Sequence, residues 1–243
     1  MILIESIFNH LVAPIIDEKL QGLRIQKNFA AARDQLSSSD NGEVMDGIAI
    51  VRQLVKSNPP DLQEYYDLLC GFIRSKAGRE NPPQSSWGPT MRAALVLLCS
   101  LPKYDRNQWP YNIEIWNIAL SDLTLHGLNL ENVVMWDCLF RKVDFSRSSF
   151  KNCDLGGTVF ERSSVEWCNF AGSRMNVSFL SGTPTSFLST RLWGSNLEDA
   201  DIARCRIQKC ENWDLQAVSK KFGERVEIVS LVGMPCGPGG PDS

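Results

Sequence analysis

CLFRKVDFSRSSFKNCDLGGTVFERSSVEWCNFAGSRM, residues 138–175, falls into blocks of five with an apolar residue at the third place of each. These residues are Phe140, Phe145, Phe150, Leu155, Phe160, Val165, Phe170 and Met175. The series extends back through Met135, Leu130, Leu125, Leu120 and Ile115, and forward to Leu180. After a two-residue insertion within SGTPTS it resumes at Phe187, Leu192, Leu197, Ile202 and Ile207, nineteen apolar residues in all. A helix repeats at about 3.6 residues and a strand at about 2, so neither produces this spacing. A fixed repeat marks a solenoid, whose units bury their apolar residues only by stacking on one another.

The rest of the chain sets the bounds. Of 243 residues, 43% are hydrophobic, ample for a core, and the net charge of −3 gives no global basic field for nucleic acid. Residues 111–217 carry 10 basic and 13 acidic side chains, so the repeat region is only mildly acidic. No apolar run reaches the ~18–20 residues that span a bilayer. The start, MILIESIFNHLVAPII, lacks the basic segment and cleavage site of a secretory signal. Cys138, Cys153, Cys168 and Cys205 lie two residues before a repeat centre, as does Cys210 if the repeat runs one step further. They share that slot with Ser148, Thr158, Ser163 and Ala200, which makes them small core-fillers. With no CxxC pair or metal-spaced cluster, they imply a reduced, cytoplasmic protein.

Upstream the pattern is helical. Leu3, Ile7, Leu11 and Ile15, flanked by Ile4, Phe8, Val12 and Ile16, form a broad apolar stripe that Pro14 ends or kinks. A second stretch holds Leu23, Ile25, Phe29, Ala30 and Leu36, and SSSDNG (37–42) breaks it. Helices are expected over 43–56, about 61–76 and 90–101, with Asn58-Pro59-Pro60-Asp61 stopping one and capping the next. The expected organisation is a small all-α domain of about five helices (1–110), the repeats (111–217), and a tail (218–243). The tail holds one strand candidate, RVEIVSLV (225–232), and a Pro/Gly-rich end.

CDLGG (153–157), SNLED (195–199) and ADIAR (200–204) have a small or polar residue before a central Leu or Ile, a pattern that resembles the pentapeptide-repeat family. The segment VMDGIAIVRQLVKSNPPDLQEYYDLLCGFIRSK is similar to the helical region before the repeats in many bacterial members. The resemblance implies a right-handed quadrilateral β-helix with four pentapeptides per coil. Ile113, Ile118, Leu123, Leu128 and Val133 occupy the slot that is small in the family, so the first coil is expected to be wider or less regular. The extra spacing before Phe187 is expected to form an outward loop, which Gly182 and Pro184 suit.

With four units per coil, residues twenty apart stack. The inward columns become Leu120/Phe140/Phe160/Leu180/Ile202 and Leu125/Phe145/Val165/Phe187/Ile207. The other two are Leu130/Phe150/Phe170/Leu192 and Ile115/Met135/Leu155/Met175/Leu197. All are structural. The place before each centre faces outward and is usually polar, yet one column there reads Ala119, Leu139, Val159, Phe179, Asp201. Val134 and the stacked pair Trp116 and Trp136 border this apolar ridge, whereas Trp167 and Trp193 fall on other columns. Such a ridge marks a contact, either with the chain's own helices or tail, with a second copy, or with a partner.

Catalytic chemistry is not expected. His10 and His126 have no Cys, Asp or Ser partner at motif spacing, and GPGGP follows no strand–helix context. Glu198, Asp199 and Asp201 read as a solvated acidic rim. No cofactor or metal is implied. The expected function is a non-catalytic protein-interaction or scaffold module using a side face of a rigid rod. Its candidate partner-binding residues are Trp116, Val134, Trp136, Leu139, Val159 and Phe179. The family also implies an alternative, a DNA-mimicking modulator of DNA gyrase or topoisomerase IV. Mimicry needs a strongly negative rod, and Arg141, Lys142, Arg147, Lys151, Arg162 and Arg174 interrupt this one. A homodimer is possible. Direct nucleic-acid binding and membrane association are not expected, the latter because no basic residue precedes Lys19.

Overall fold

The computed structural model describes residues 13–57, 62–78, 87–101, 113–192, 195–202, 206–208 and 227–228. The chain folds as two compact units that divide between Tyr65 and Tyr66, within the first turn of the third described helix, so most of that helix and the one after it group with the coils.

The first unit is built on a helical hairpin, α1 (Ala13–Leu36) and α2 (Asn41–Lys56). Helix α1 runs unbroken from Ala13, and Pro14 falls in its first turn, where a missing N–H costs nothing. The helix expected before Pro14 lies largely outside the described residues, and the second expected stretch extends back to Ala13. Asp40 caps α2 by accepting the Glu43 N–H at 3.0 Å. Val44, Gly47, Ile48, Val51 and Leu54 form its buried face. A Cβ on Gly47 would stand 3.1 Å from the Gln35 Cβ and 3.2 Å from the Ala32 carbonyl, so this glycine lets α1 come close.

In the second unit, α3 (Leu62–Ala77) and α4 (Gly88–Ser100) lead into a β-solenoid of about four turns. One side is a parallel sheet, β2 (Ala119–Ser121), β4 (Leu139–Arg141), β5 (Val159–Glu161), β6 (Ser186–Leu188), β7 (Arg206–Gln208) and β8 (Glu227–Ile228). Strands β1 (Ile113–Glu114) and β3 (Val133–Val134) pair on another side. Parallel bridges from Thr124 to Asp144, Ser164 and Arg191, and from Asn129 to Ser149, Asn169 and Asn196, mark the remaining two. The tail strand β8 adds beside β7 at the end of the sheet. Glu227 and Ile228, the described part of the tail that is one expected cover of the ridge, extend this sheet.

Two forces hold the coils in register. Phenylalanines fill the interior: Phe150 stacks on Phe170 at 4.9 Å and Phe160 on Phe187 at 5.0 Å, while Phe140 meets Phe145 edge-on at 5.0 Å. The small slot two before each centre supplies a polar ladder. Ser148, Ser163 and Thr190 donate to the carbonyls of Leu125, Phe140 and Phe160, at 3.3, 3.0 and 2.8 Å. The thiols of Cys138 and Cys168 do the same to Ile115 and Phe145, at 3.3 and 3.1 Å. The slot thus points at the preceding coil. In the first coil it points instead at the solenoid's end, where α3 and α4 lie. Gly78 bridges Ile118 antiparallel, and a Cβ on Gly88 would stand 3.0 Å from Leu123 Cδ2. Ile113, Ile118 and Leu128 are buried in that large-residue slot, and for Ile118 the neighbour beyond is the end of α3 rather than another coil.

The sequence columns hold through Met175 and then shift. The sheet pairs Phe160 with Phe187 and Phe187 with Ile207, and Met175 sits beside the Arg174–Asp201 bridge that aligns it with Ile202. Leu180, expected inside, is 61% exposed. The register spacing rises from 20 residues (Leu139 to Val159) to 27 (Val159 to Ser186), so the insertion is seven residues rather than two.

The core makes a sharp contrast testable. Phe160→Ala should cost about 3–5 kcal/mol in urea unfolding, and Phe179→Ala less than about 0.5 kcal/mol. Burial also pushes the Cys168 and Cys70 thiols up to about 12. Their protonated forms are favoured in the fold, so this contribution is present below the ordinary thiol pKa and lost as pH rises through the folded value. Site-resolved mass spectrometry should find both cysteines resistant to iodoacetamide at pH 8.5 until the protein unfolds.

Candidate interaction face

The six sequence-selected residues do not form one surface. Leu139 and Val159 are neighbours across β4 and β5, with Ala119 next in register, but Ala119 is buried and the other two are half-buried. The next members of the column are Ser186 and Arg206, not Phe179 and Asp201. The expected ridge therefore stops after Val159. Trp116 is committed elsewhere: the Arg74 guanidinium lies 5.5 Å above its ring and donates to the Glu114 carbonyl at 2.7 Å. Val134 and Trp136 are half-buried on the adjacent side.

Phe179 stands apart, 94% exposed. It sits with Leu180 at the tip of a loop formed by the seven extra residues. Val177 bridges Pro184 antiparallel, the Ser178 N–H donates to the Thr183 carbonyl at 2.7 Å, and the Gly182 N–H to the Ser178 carbonyl at 3.0 Å. At its base the Thr185 hydroxyl donates to the Leu155 carbonyl at 2.7 Å, rejoining the polar ladder.

What fixes the loop is a residue that sequence reasoning misses. Asp137 is 6% exposed, and its carboxylate accepts three hydroxyls from the loop. Ser178 donates to Oδ2 at 2.7 Å, Thr183 to Oδ1 at 3.1 Å, and Ser181 also to Oδ1. Ser178 Oγ in turn accepts the N–H groups of Leu180 and Ser181 at 3.0 and 3.1 Å. The loop reaches back one coil because the corner between is bare. Gly157, at φ +72°, occupies the place corresponding to Asp137 in the next coil. A Cβ there would collide with Asp137 Oδ1 and fall 2.6 Å from Ser178 Cβ. Beside it, a Cβ on Gly156 would lie 3.5 Å from both the Trp136 Cδ1 and the Ser178 Cα. Trp136 thus flanks the loop's seat. The legible signal is the Gly156-Gly157 pair beside a hydroxyl-rich insertion.

The electrostatics of the solenoid and the loop differ. Charges on the coils pair along the axis: Arg141 with Glu161 at 3.0 Å, Lys142 with Asp122 at 3.4 Å, Arg174 with Asp154 at 3.3 Å and Arg191 with Glu166 at 3.5 Å. The stretch between Arg174 and Arg191, which contains the whole loop, has no charged residue. Among the described residues no group of three or more His, Cys, Asp or Glu side chains is placed to hold a metal.

Residues 119–162 and 138–176 match the pentapeptide-repeats family model, in eight copies. No curated protein matches the chain. Similar solved structures include the pentapeptide repeat protein Rfr23 from the cyanobacterium Cyanothece 51142, at 13% identity over 44% of this chain and 65% of that one, TM-score 0.23. HetL, a pentapeptide repeat protein involved in heterocyst differentiation regulation from Nostoc sp. strain PCC 7120, is 12% identical over 36% and 39%, TM-score 0.17. QnrB1, a plasmid-mediated fluoroquinolone resistance protein, is 15% identical over 45% and 90%, TM-score 0.17. The chain spans less than two thirds of the length of the first two.

Removing the loop's anchor should loosen its tip without unfolding the coils. Asp137→Ala leaves three hydroxyls without their acceptor, a loss of about 1–3 kcal/mol. Chymotryptic cleavage after Phe179 or Leu180 should accelerate on the order of tenfold, and Gly157→Ala should do the same through steric conflict. Unchanged cleavage in both variants would show that Asp137 does not hold the loop.

Proposed function

We propose that this pentapeptide-repeat chain is a non-catalytic protein-interaction module whose contact is centred on the loop tip Phe179–Leu180. The observation that carries the reading is a nearly fully exposed phenylalanine beside a leucine, on a loop tied to a buried carboxylate. Exposed aromatic residues are costly to leave in water and are favoured anchors in partner pockets. A loop already ordered by Asp137 loses little conformational freedom on binding, which raises affinity for a given contact area. The half-buried Trp136, Leu139 and Val159 supply a shallower apolar margin, and Val134 adds to it on the adjacent side. Trp116, under Arg74, is assigned to the end of the solenoid instead.

The charge pattern supports a protein contact over mimicry of DNA. A mimic needs uncompensated negative charge along the rod. Here acidic side chains on the coils meet basic ones one coil away, and the projecting loop is neutral. Buried, protonated thiols suit a reducing, cytoplasmic setting.

Affinity capture with the full chain against a Phe179→Ser/Leu180→Ser variant tests this. A partner retained by the parent should be lost by at least about tenfold in the variant, since two buried apolar anchors contribute more than about 1.4 kcal/mol. Equal retention by a folded variant would refute the loop as the contact. A DNA gyrase supercoiling assay separates the other reading: inhibition that survives the double substitution would favour mimicry by the rod.

A further inference from the structure

We propose that helix α1 binds the surface of an anionic lipid bilayer through the side opposite to its packing on α2. The two sides are read from burial and from the helical advance of about 100° per residue. Ala32 and Leu36 are buried and Ile25 and Phe29 half-buried, with Phe29 meeting Tyr65 edge-on at 5.3 Å. These residues define the protein-facing side. On the other side Leu20 and Leu23 are 48% and 61% exposed. Around them, in angular order, stand Lys19, Leu23, Lys27, Leu20 and Arg24, an arc of roughly 140°. All three basic residues are exposed and make no ion pair among the described residues.

Two leucines framed by three cations have a specific physical fit. Leucine gains by leaving water, while Lys and Arg keep their charges at the headgroups with their stems along the apolar surface. A second copy of the same face would bring its cations against these, so self-association is disfavoured and an anionic partner favoured. Glu18 falls on the α2 side of the wheel, whereas Asp17 falls at the edge of the arc beside Arg24 but about 10 Å before it along the axis. Asp34 shares the arc but lies about 10 Å beyond Lys27 along the axis, so the arc from Lys19 to Lys27 is basic. Sequence alone argues against membrane contact because no cation precedes Lys19. The continuity of α1 from Ala13 to Leu36 changes that, since it puts Lys19, Arg24 and Lys27 on one face with the leucines. In the sequence the apolar series Ile4, Phe8, Val12, Ile16 reaches Leu20 at steps of four. No described helix is long and apolar enough to cross a membrane, so the contact is with the surface.

Vesicle flotation of the full chain provides the test. It compares phosphatidylcholine alone with phosphatidylcholine mixed with phosphatidylserine, at low and physiological salt. Flotation should require phosphatidylserine and weaken with salt. Lys19→Gln/Arg24→Gln/Lys27→Gln should lower partition on the order of 100-fold, about fivefold per charge. Leu20→Gln/Leu23→Gln, at exposed sites that leave the fold intact, should lower it at least about tenfold. No flotation by the parent, or flotation unchanged in both variants, would overturn the assignment. So would a dimer in light scattering that Leu20→Gln/Leu23→Gln dissolves while vesicles are ignored, which would give the face to a second copy. None of these outcomes touches the loop at Phe179, so the two readings fail separately.

Discussion

Much of the repeat region depends on one recurring donation, from a hydroxyl or thiol two places before a centre to a carbonyl in the coil below. Ser148, Thr158, Ser163 and Cys168 all make it, and their sites are dry. A hydroxyl in that slot is satisfied at the same moment that it fixes the height of its coil, so burial carries no penalty. A thiol does so more weakly but fills the same volume. The slot therefore favours Ser, Thr, Cys or Ala over another coil, with Val133 and Val143 as buried aliphatic exceptions over the first coil. Where the end of α3 lies beneath instead, Ile118 fits.

That constraint explains why the period is legible in the sequence and the break is not. Up to Met175 each centre is followed five residues later by another, and the sequence columns coincide with the register. Leu180 satisfies the spacing by chance, being apolar at the fifth place, yet it is exposed. The ladder shows where the coil really resumes: Thr185, not Ser178, donates to Leu155, although Ser178 is also small and two places before an apolar residue. Ser178 spends its hydroxyl on Asp137 instead. A one-dimensional pattern cannot choose between two serviceable hydroxyls. The choice is made by the bare corner at Gly156-Gly157, which only the folded coil brings beside both.

The candidate site is legible to a similar depth. The repeat phase predicts Phe179 outward, and it is exposed, but because it stands on the seven-residue loop that lies outside that phase. Its neighbours do not follow, because they depend on the seven-residue slip. Asp137 is invisible as a functional residue, since an Asp at a coil corner ordinarily faces water. It becomes significant only because hydroxyls 41 to 46 residues away converge on it. In the helical hairpin the cause is different: the second stretch is read from its apolar residues, beginning at Leu23, and the helix's extension back to Ala13 is what brings Lys19 and Leu20 onto one face with Leu23, Arg24 and Lys27.

The loop and the coils also divide the protein's electrostatics in a way that constrains any partner. Along the coils, the 20-residue register places Arg141 against Glu161, and Arg191, in register with Ser164, reaches Glu166 beside it, so these faces present paired charge with little net field. Exposed pairs of this kind contribute little to stability, on the order of 0–1 kcal/mol each. Their consequence is rather that long-range attraction is weak over the paired faces. A partner for the solenoid must then gain its affinity at contact, from apolar surface that is already ordered. Phe179 and Leu180 are the most exposed such surface on the described coils, and the uncharged stretch from Met175 to Thr190 surrounds them with groups that cost little to dehydrate.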